Sequence, residues 1–86
     1  MGKRILTVDD SPSIRQLVGF VLKGAGYSVD EAPDGAAGLA KAQGSAFDLI
    51  LTDQNMPNMD GMTMIKRLRA SAAYARTPIL ILTTES

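Results

Sequence analysis

The 86-residue sequence contains no cysteine and no histidine, and its nine basic side chains are matched by nine acidic ones. Without cysteine there are no disulfides and no thiolate metal sites, and a reducing compartment is permitted. Without histidine as well, the Ser-His-Asp and Cys-His triads are impossible. A formal net charge of zero provides no long-range attraction toward nucleic acid or an anionic membrane. No apolar run approaches a membrane span, and Met1-Gly2-Lys3-Arg4 leads straight into a short strand-like stretch without the apolar core of a secretion signal. The expectation is one soluble, cytoplasmic domain over residues 1–86, small enough to need good packing. Nucleotide-binding signatures are missing too. Gly24-Ala25-Gly26 lacks the third glycine of a dinucleotide fingerprint and closes a helix instead of opening one, and there is no Walker A sequence. An EF-hand loop starting at Asp53 would need an oxygen donor and then glycine where Pro57 and Asn58 stand.

What the sequence does have is centred on Leu49-Ile50-Leu51-Thr52-Asp53, an aliphatic run that stops at a carboxylate. Consecutive large aliphatics read as a strand buried on both faces, as in a parallel sheet covered by helices. Around this strand, expected over Phe47–Thr52, the other elements alternate. Ile5–Val8 is a strand ending in Asp9 and Asp10. Ser11 caps a helix with Pro12 in its first turn, an apolar stripe of Ile14, Leu17, Val18, Val21 and Leu22, and a stop at Gly24 and Gly26. Tyr27–Ala32 is a weaker, partly polar strand suited to an edge. Asp34 caps an alanine-rich helix over Ala36–Gln43 with a thin apolar face of Leu39, Ala36, Ala37 and Ala40. Asp60 is a turn or capping residue before a helix over Met62–Arg69 that buries Met62, Ile65 and Leu68. Met56, Met59, Met62 and Met64 are loop and core filler. Ser71–Thr77 is a connecting loop before the strand Ile79–Leu82.

The order β-α-β-α-β-α-β implies parallel pairing, right-handed crossovers and a doubly wound α/β sheet, with a site at the carboxyl ends of the strands. Polar groups stand there after three apolar runs: Asp9 with Asp10, Asp53, and Thr83. If the first and third strands are neighbours, their carboxylates converge. Two carboxylates about 4 Å apart repel by roughly 4 kcal/mol at an effective dielectric of 20, so a cluster of three calls for a cation. All available ligands are oxygens, which suits Mg²⁺ or Mn²⁺ rather than zinc or copper. A hard cation that keeps open positions recruits phosphate, so the pattern suggests metal-assisted phosphoryl chemistry, with one carboxylate as ligand and another as nucleophile. Thr83 would donate to a phosphoryl oxygen without adding negative charge.

Val8-Asp9-Asp10-Ser11, the run Asp53 to Gly61 and Ile81-Leu82-Thr83-Thr84-Glu85 together resemble the receiver domain of bacterial response regulators, of the CheY-like chemotaxis type. The resemblance runs the length of the sequence and implies a flavodoxin-like sheet. It also implies that Asp53 accepts a phosphoryl group from a sensor histidine kinase. Asp10, Asp53 and the backbone carbonyl of Asn55 would hold Mg²⁺, with Asp9 supporting it through water. Thr83 would be the switch hydroxyl, Asn55 and Glu85 would tune dephosphorylation, and a downstream target protein would read the changed surface. Such a module is not a turnover enzyme. Family members have five strands in the order 2-1-3-4-5, whereas this sequence is expected to provide 2-1-3-4 and to lack the last helix-strand-helix, including the lysine that pairs with the phosphoryl group. One alternative is therefore an assembly fragment that self-associates through an exposed strand at residues 79–82 without a complete switch. Another is a Mg²⁺-dependent phosphohydrolase, weakened because Asn55 stands where a second Asp is usual.

Overall fold

Strands and helices alternate as expected in the computed structural model, which describes residues 2–82. The elements are β1 (Arg4–Val8), α1 (Pro12–Gly24), β2 (Ser28–Ala32), α2 (Gly35–Gly44), β3 (Leu49–Thr52), α3 (Gly61–Arg69) and β4 (Ile79–Ile81). All pairings are parallel and the sheet order is β2-β1-β3-β4. This is the doubly wound order of the flavodoxin-like class. Val8 lies opposite both Ala32 and Thr52, so three strands end level with one another.

Alternation along the strands sorts side chains onto two unlike faces. Leu6, Val8 and Ile50 form the main core with Ala32, Ala42, Phe47, Met64, Leu68 and Tyr74 beneath α2 and α3. The α2 helix comes close enough that a Cβ at Gly38 would lie 2.8 Å from Val8 Cγ2. The opposite face is covered by α1 through Gly19, whose nearest neighbours are Glu31 and Val29 of β2.

The helix faces differ from those expected. On α1, Ile14, Val18 and Leu22 are half-buried, but Leu17 and Val21 are mostly exposed, as is Phe20. The helix touches the sheet along a narrow line set by Gly19, and those three side chains lie outside it. On α2, Gly35, Gly38 and Ala42 are buried, Leu39 and Ala37 half-buried, and Ala36 and Ala40 exposed. Close approach selects glycine there, which hydropathy does not mark. On α3, Met64 and Leu68 are buried with Gly61, Ile65 is half-buried, and Met62 faces solvent. The strands β2 and β3 begin at Ser28 and Leu49, one and two residues later than expected, and Phe47 is buried just before its strand.

Ser71–Thr77 is more than a connector. Ala72–Tyr74 forms a 3-10 turn that buries Tyr74, whose hydroxyl donates to the carbonyls of Ala42 (2.7 Å) and Ser45 (2.6 Å). Ser11, Asp34 and Asp60 cap their helices as expected, accepting from the N–H of Ile14, Ala37 and Thr63. Strand β4, ending at Ile81 one residue earlier than expected, is the outer strand beside β3 among the described residues, with Leu80 exposed in it and Leu82 exposed just past it. Among the same residues no helix is long and apolar enough to cross a membrane.

Candidate functional site

The level strand ends decide where the acidic residues go. Asp53 follows Thr52 and donates its N–H to Val8 O (2.9 Å), while Asp9 follows Val8 and donates to Ala32 O (3.1 Å). The two residues therefore leave adjacent strands side by side, and Asp10 joins them from the first step of the β1–α1 turn. One carboxylate oxygen from each of Asp9, Asp10 and Asp53 lies within 4.8 Å of the others. Asp9 and Asp53 are buried, at 6% and 7% exposure, and Asp10 is exposed, so two carboxylates form the floor and one the rim.

Each floor carboxylate is oriented by backbone. Asp9 Oδ1 accepts from Ser11 N–H (2.9 Å), and Asp53 Oδ1 accepts from Gln54 N–H (2.8 Å). Among the described residues no salt bridge reaches the three carboxylates; the two ion pairs are Arg4–Asp30 and Arg15–Glu31. Burial holds the Asp9 carboxyl above the usual carboxylate range, against the Ser11 hydrogen bond, with the charges of Asp53 and Asp10 adding to the rise and Arg15 opposing it. A buried acid with two acidic neighbours is an electrostatic liability that a divalent cation would relieve. Three hard oxygen donors, with no nitrogen or sulfur among them, fit Mg²⁺ or Mn²⁺.

The loop after Asp53 is fastened on both sides. Gln54 O accepts from Gly61 N–H (3.0 Å) and Gln54 Oε1 from Met62 N–H (2.9 Å), which ties the loop to the first turn of α3. A side chain at Gly61 would collide with the carbonyl of Asp53. Asn58 takes the left-handed conformation (φ 70°) and donates its side-chain amide to Asp34 Oδ2 (3.1 Å) at the start of α2. The Ala37 and Asn58 hydrogen bonds hold Asp34 below the usual carboxylate range, and those from Thr63 do the same for Asp60. Loop position is thus set by two capped helix starts.

Of the residues expected at the site, Asp9, Asp10 and Asp53 come together. Asn55 is exposed in the loop two residues beyond Asp53. Thr83 and Glu85 lie outside the described residues. Arg15, Glu31 and Gln54 border the site without having been anticipated. Arg15 had a readable signal, since it shares the sheet-facing line of α1 with Val18 and Leu22, where a charge is out of place. A cavity of about 230 Å³ lined by Leu39, Phe47, Arg67, Leu68 and Tyr74 lies at the other end of β3, away from the carboxylates.

Comparison with known proteins places the arrangement. The family model described as "Response regulator receiver domain" matches residues 5–86. A gliding motility regulatory protein of Myxococcus xanthus is 46% identical over 81 residues, covering 94% of this chain and 10% of the relative. The high-resolution structure of the chemotaxis response regulator CheY4 of Vibrio cholerae superposes with a TM-score of 0.96 at 50% identity, covering 100% of this chain and 72% of that one. The receiver domain of the sensor histidine kinase PA1611 of Pseudomonas aeruginosa, described with a magnesium ion coordinated in its active site cleft, gives a TM-score of 0.94 at 32% identity. That likeness covers 99% of this chain and 70% of that one. The chain spans between 10% and 65% of the length of the first three curated relatives it matches.

Proposed function

The chain belongs to the response regulator receiver family, and from that membership we propose that it is a phosphoacceptor module of two-component signalling, phosphorylated on Asp53 by a histidine kinase. The observation that carries the reading is the convergence of Asp9, Asp10 and Asp53 within 4.8 Å at the carboxyl ends of β1 and β3. Asp10, Asp53 and the backbone carbonyl of Asn55 would hold Mg²⁺, with Mn²⁺ as an equivalent hard cation, and Asp9 would support it through water. Bound there, the ion would supply positive charge to the phosphoryl oxygens and the carboxylates.

An Asp53 carboxylate oxygen forms the new O–P bond as the N–P bond of a phosphohistidine breaks and the imidazole leaves. Such transfer is mostly positioning plus charge stabilisation, so an acceptor held by Gln54 N–H on a buried strand end needs few other parts. Phosphorylation adds negative charge and acceptor oxygens beside the loop that Gln54 and Asn58 fasten to α3 and α2. By the family likeness Thr83 would be the switch hydroxyl, Asn55 and Glu85 would tune dephosphorylation, and a target protein would read the altered surface. The module consumes one phosphoryl group per signal and is not a turnover enzyme.

The test is incubation with a small phosphodonor and Mg²⁺, read by intact-protein mass spectrometry. One base-labile phosphoryl group per chain, lost in Asp53→Asn, is expected. A label that survives Asp53→Asn, or continuous hydrolysis of phosphate esters, contradicts the proposal.

A further inference from the structure

One basic side chain reaches the acidic site from α1. Arg15 is mostly buried, with its side chain 18% exposed, and its guanidinium forks. Nη1 donates to the backbone carbonyl of Asp9 (2.7 Å), and Nε donates to Glu31 Oε1 on β2 (3.3 Å). That carbonyl belongs to the peptide joining Asp9 to Asp10. Fixing its oxygen fixes the plane from which the Asp10 side chain departs, while Ala32 O and Ser11 N–H hold the other side of Asp9.

We propose that Arg15, itself held by Glu31, is the positioning residue that sets the Asp9–Asp10 turn so that both carboxylates meet Asp53 around a divalent cation. The inference rests on the metal-site reading above. A planar fork suits the task because it spans a carbonyl and a carboxylate at a fixed angle, whereas a lysine ammonium is a point charge on a flexible stem. Charge and position predict opposite signs. Deleting a cation beside three carboxylates would tighten metal binding on charge alone, whereas loosening the turn weakens it.

The molecule provides its own control. Arg4, at the amino end of β1, also reaches β2, through Asp30 at 3.1 Å, but neither residue hydrogen-bonds to Asp9, Asp10 or Asp53. Mg²⁺ affinity is measured by calorimetry, with metal-free urea midpoints alongside, for the wild type, Arg15→Gln, Arg15→Lys, Glu31→Gln, Arg4→Gln and Asp10→Asn. Loss of a side chain that orients a ligand typically weakens metal binding about 10-fold or more, and that is expected for Arg15→Gln. Arg15→Lys falls close to it, Glu31→Gln shows a smaller loss in the same direction, and Arg4→Gln keeps wild-type affinity.

Unchanged or tighter binding by Arg15→Gln overturns the proposal, as does an equal loss in Arg4→Gln. Should Arg15→Gln fail to fold, Arg15→Lys and Glu31→Gln decide in its place, and wild-type affinity in both is equally fatal. A wild type that binds no Mg²⁺, or an Asp10→Asn that binds as well as wild type, instead defeats the underlying metal-site reading.

Discussion

The two ends of the sheet use the same residue types to opposite effect. At the amino end, Arg4 pairs with Asp30, its backbone N–H donates to Asp48 Oδ2 (2.8 Å), and its guanidinium lies 4.8 Å from the centroid of the Phe47 ring. At the carboxyl end, Arg15 of α1 links the Asp9 carbonyl just past β1 to Glu31 of β2, yet Asp9, Asp10 and Asp53 stand together without a salt bridge among the described residues. One end pairs its arginine with an acid of the next strand. The other gathers three carboxylates that share no salt bridge among the described residues, an arrangement that suits a cation.

The largest difference between the ends appears when a carboxylate is removed from each. Asp10→Asn is expected to slow Mg²⁺-dependent labelling of Asp53 at least 10-fold, on the order of the loss of a ligand-shell group. Asp48→Asn leaves it unchanged, and time-resolved mass spectrometry with the same phosphodonor compares the two.

Stability separates the ends in the other direction. Tyr74→Phe strands the carbonyls of Ala42 and Ser45 near the amino end of the sheet. A net loss of about 1–2 kcal/mol in urea unfolding is expected, with labelling at the carboxyl end untouched.

These contrasts also mark how far the sequence could be read. The alternation of elements and the acids at the strand ends follow from aliphatic runs that stop at Asp9 and Asp53, whereas the strand order comes with the receiver resemblance. Periodicity marks an apolar face without saying how near its neighbour comes. That is why the pattern leaves Gly38 unmarked, shows Gly61 only as a loop former, and puts Leu17 and Met62 on a buried stripe. The role of Tyr74 depends on carbonyls in and just past α2, 32 and 29 residues away, and that of Arg15 on β2. Neither partner is signalled locally.

Within the carboxyl end, pH separates the acids by their surroundings. Asp9 has its carboxyl raised in the folded state chiefly by burial, so the folded chain holds that proton more tightly than the unfolded one. Its contribution favours folding in acid and is lost as pH rises through the raised value. Asp34 and Asp60, lowered by their capping bonds, contribute above the usual carboxylate range and lose that contribution as pH falls through their lowered values. Metal-free urea midpoints across mildly acidic pH should therefore slope less steeply downward with rising pH in Asp9→Asn than in the wild type. An unchanged slope would count against the burial argument.

The smallest effect expected is a gain. Thr7 is buried with its hydroxyl unpartnered among the described residues, so Thr7→Val, close in shape, should raise stability by up to about 1 kcal/mol in the same unfolding assay. A loss would mean that the hydroxyl is satisfied in solution.

The most direct test of a shared cation site is backbone-amide NMR during titration with Mn²⁺, whose unpaired electrons broaden nearby signals. Broadening at the lowest Mn²⁺ additions should be confined to residues around Asp9, Asp10 and Asp53 and should disappear on adding excess Mg²⁺. Broadening centred instead on Asp30 and Asp48, or spread evenly over exposed acids, would contradict the account.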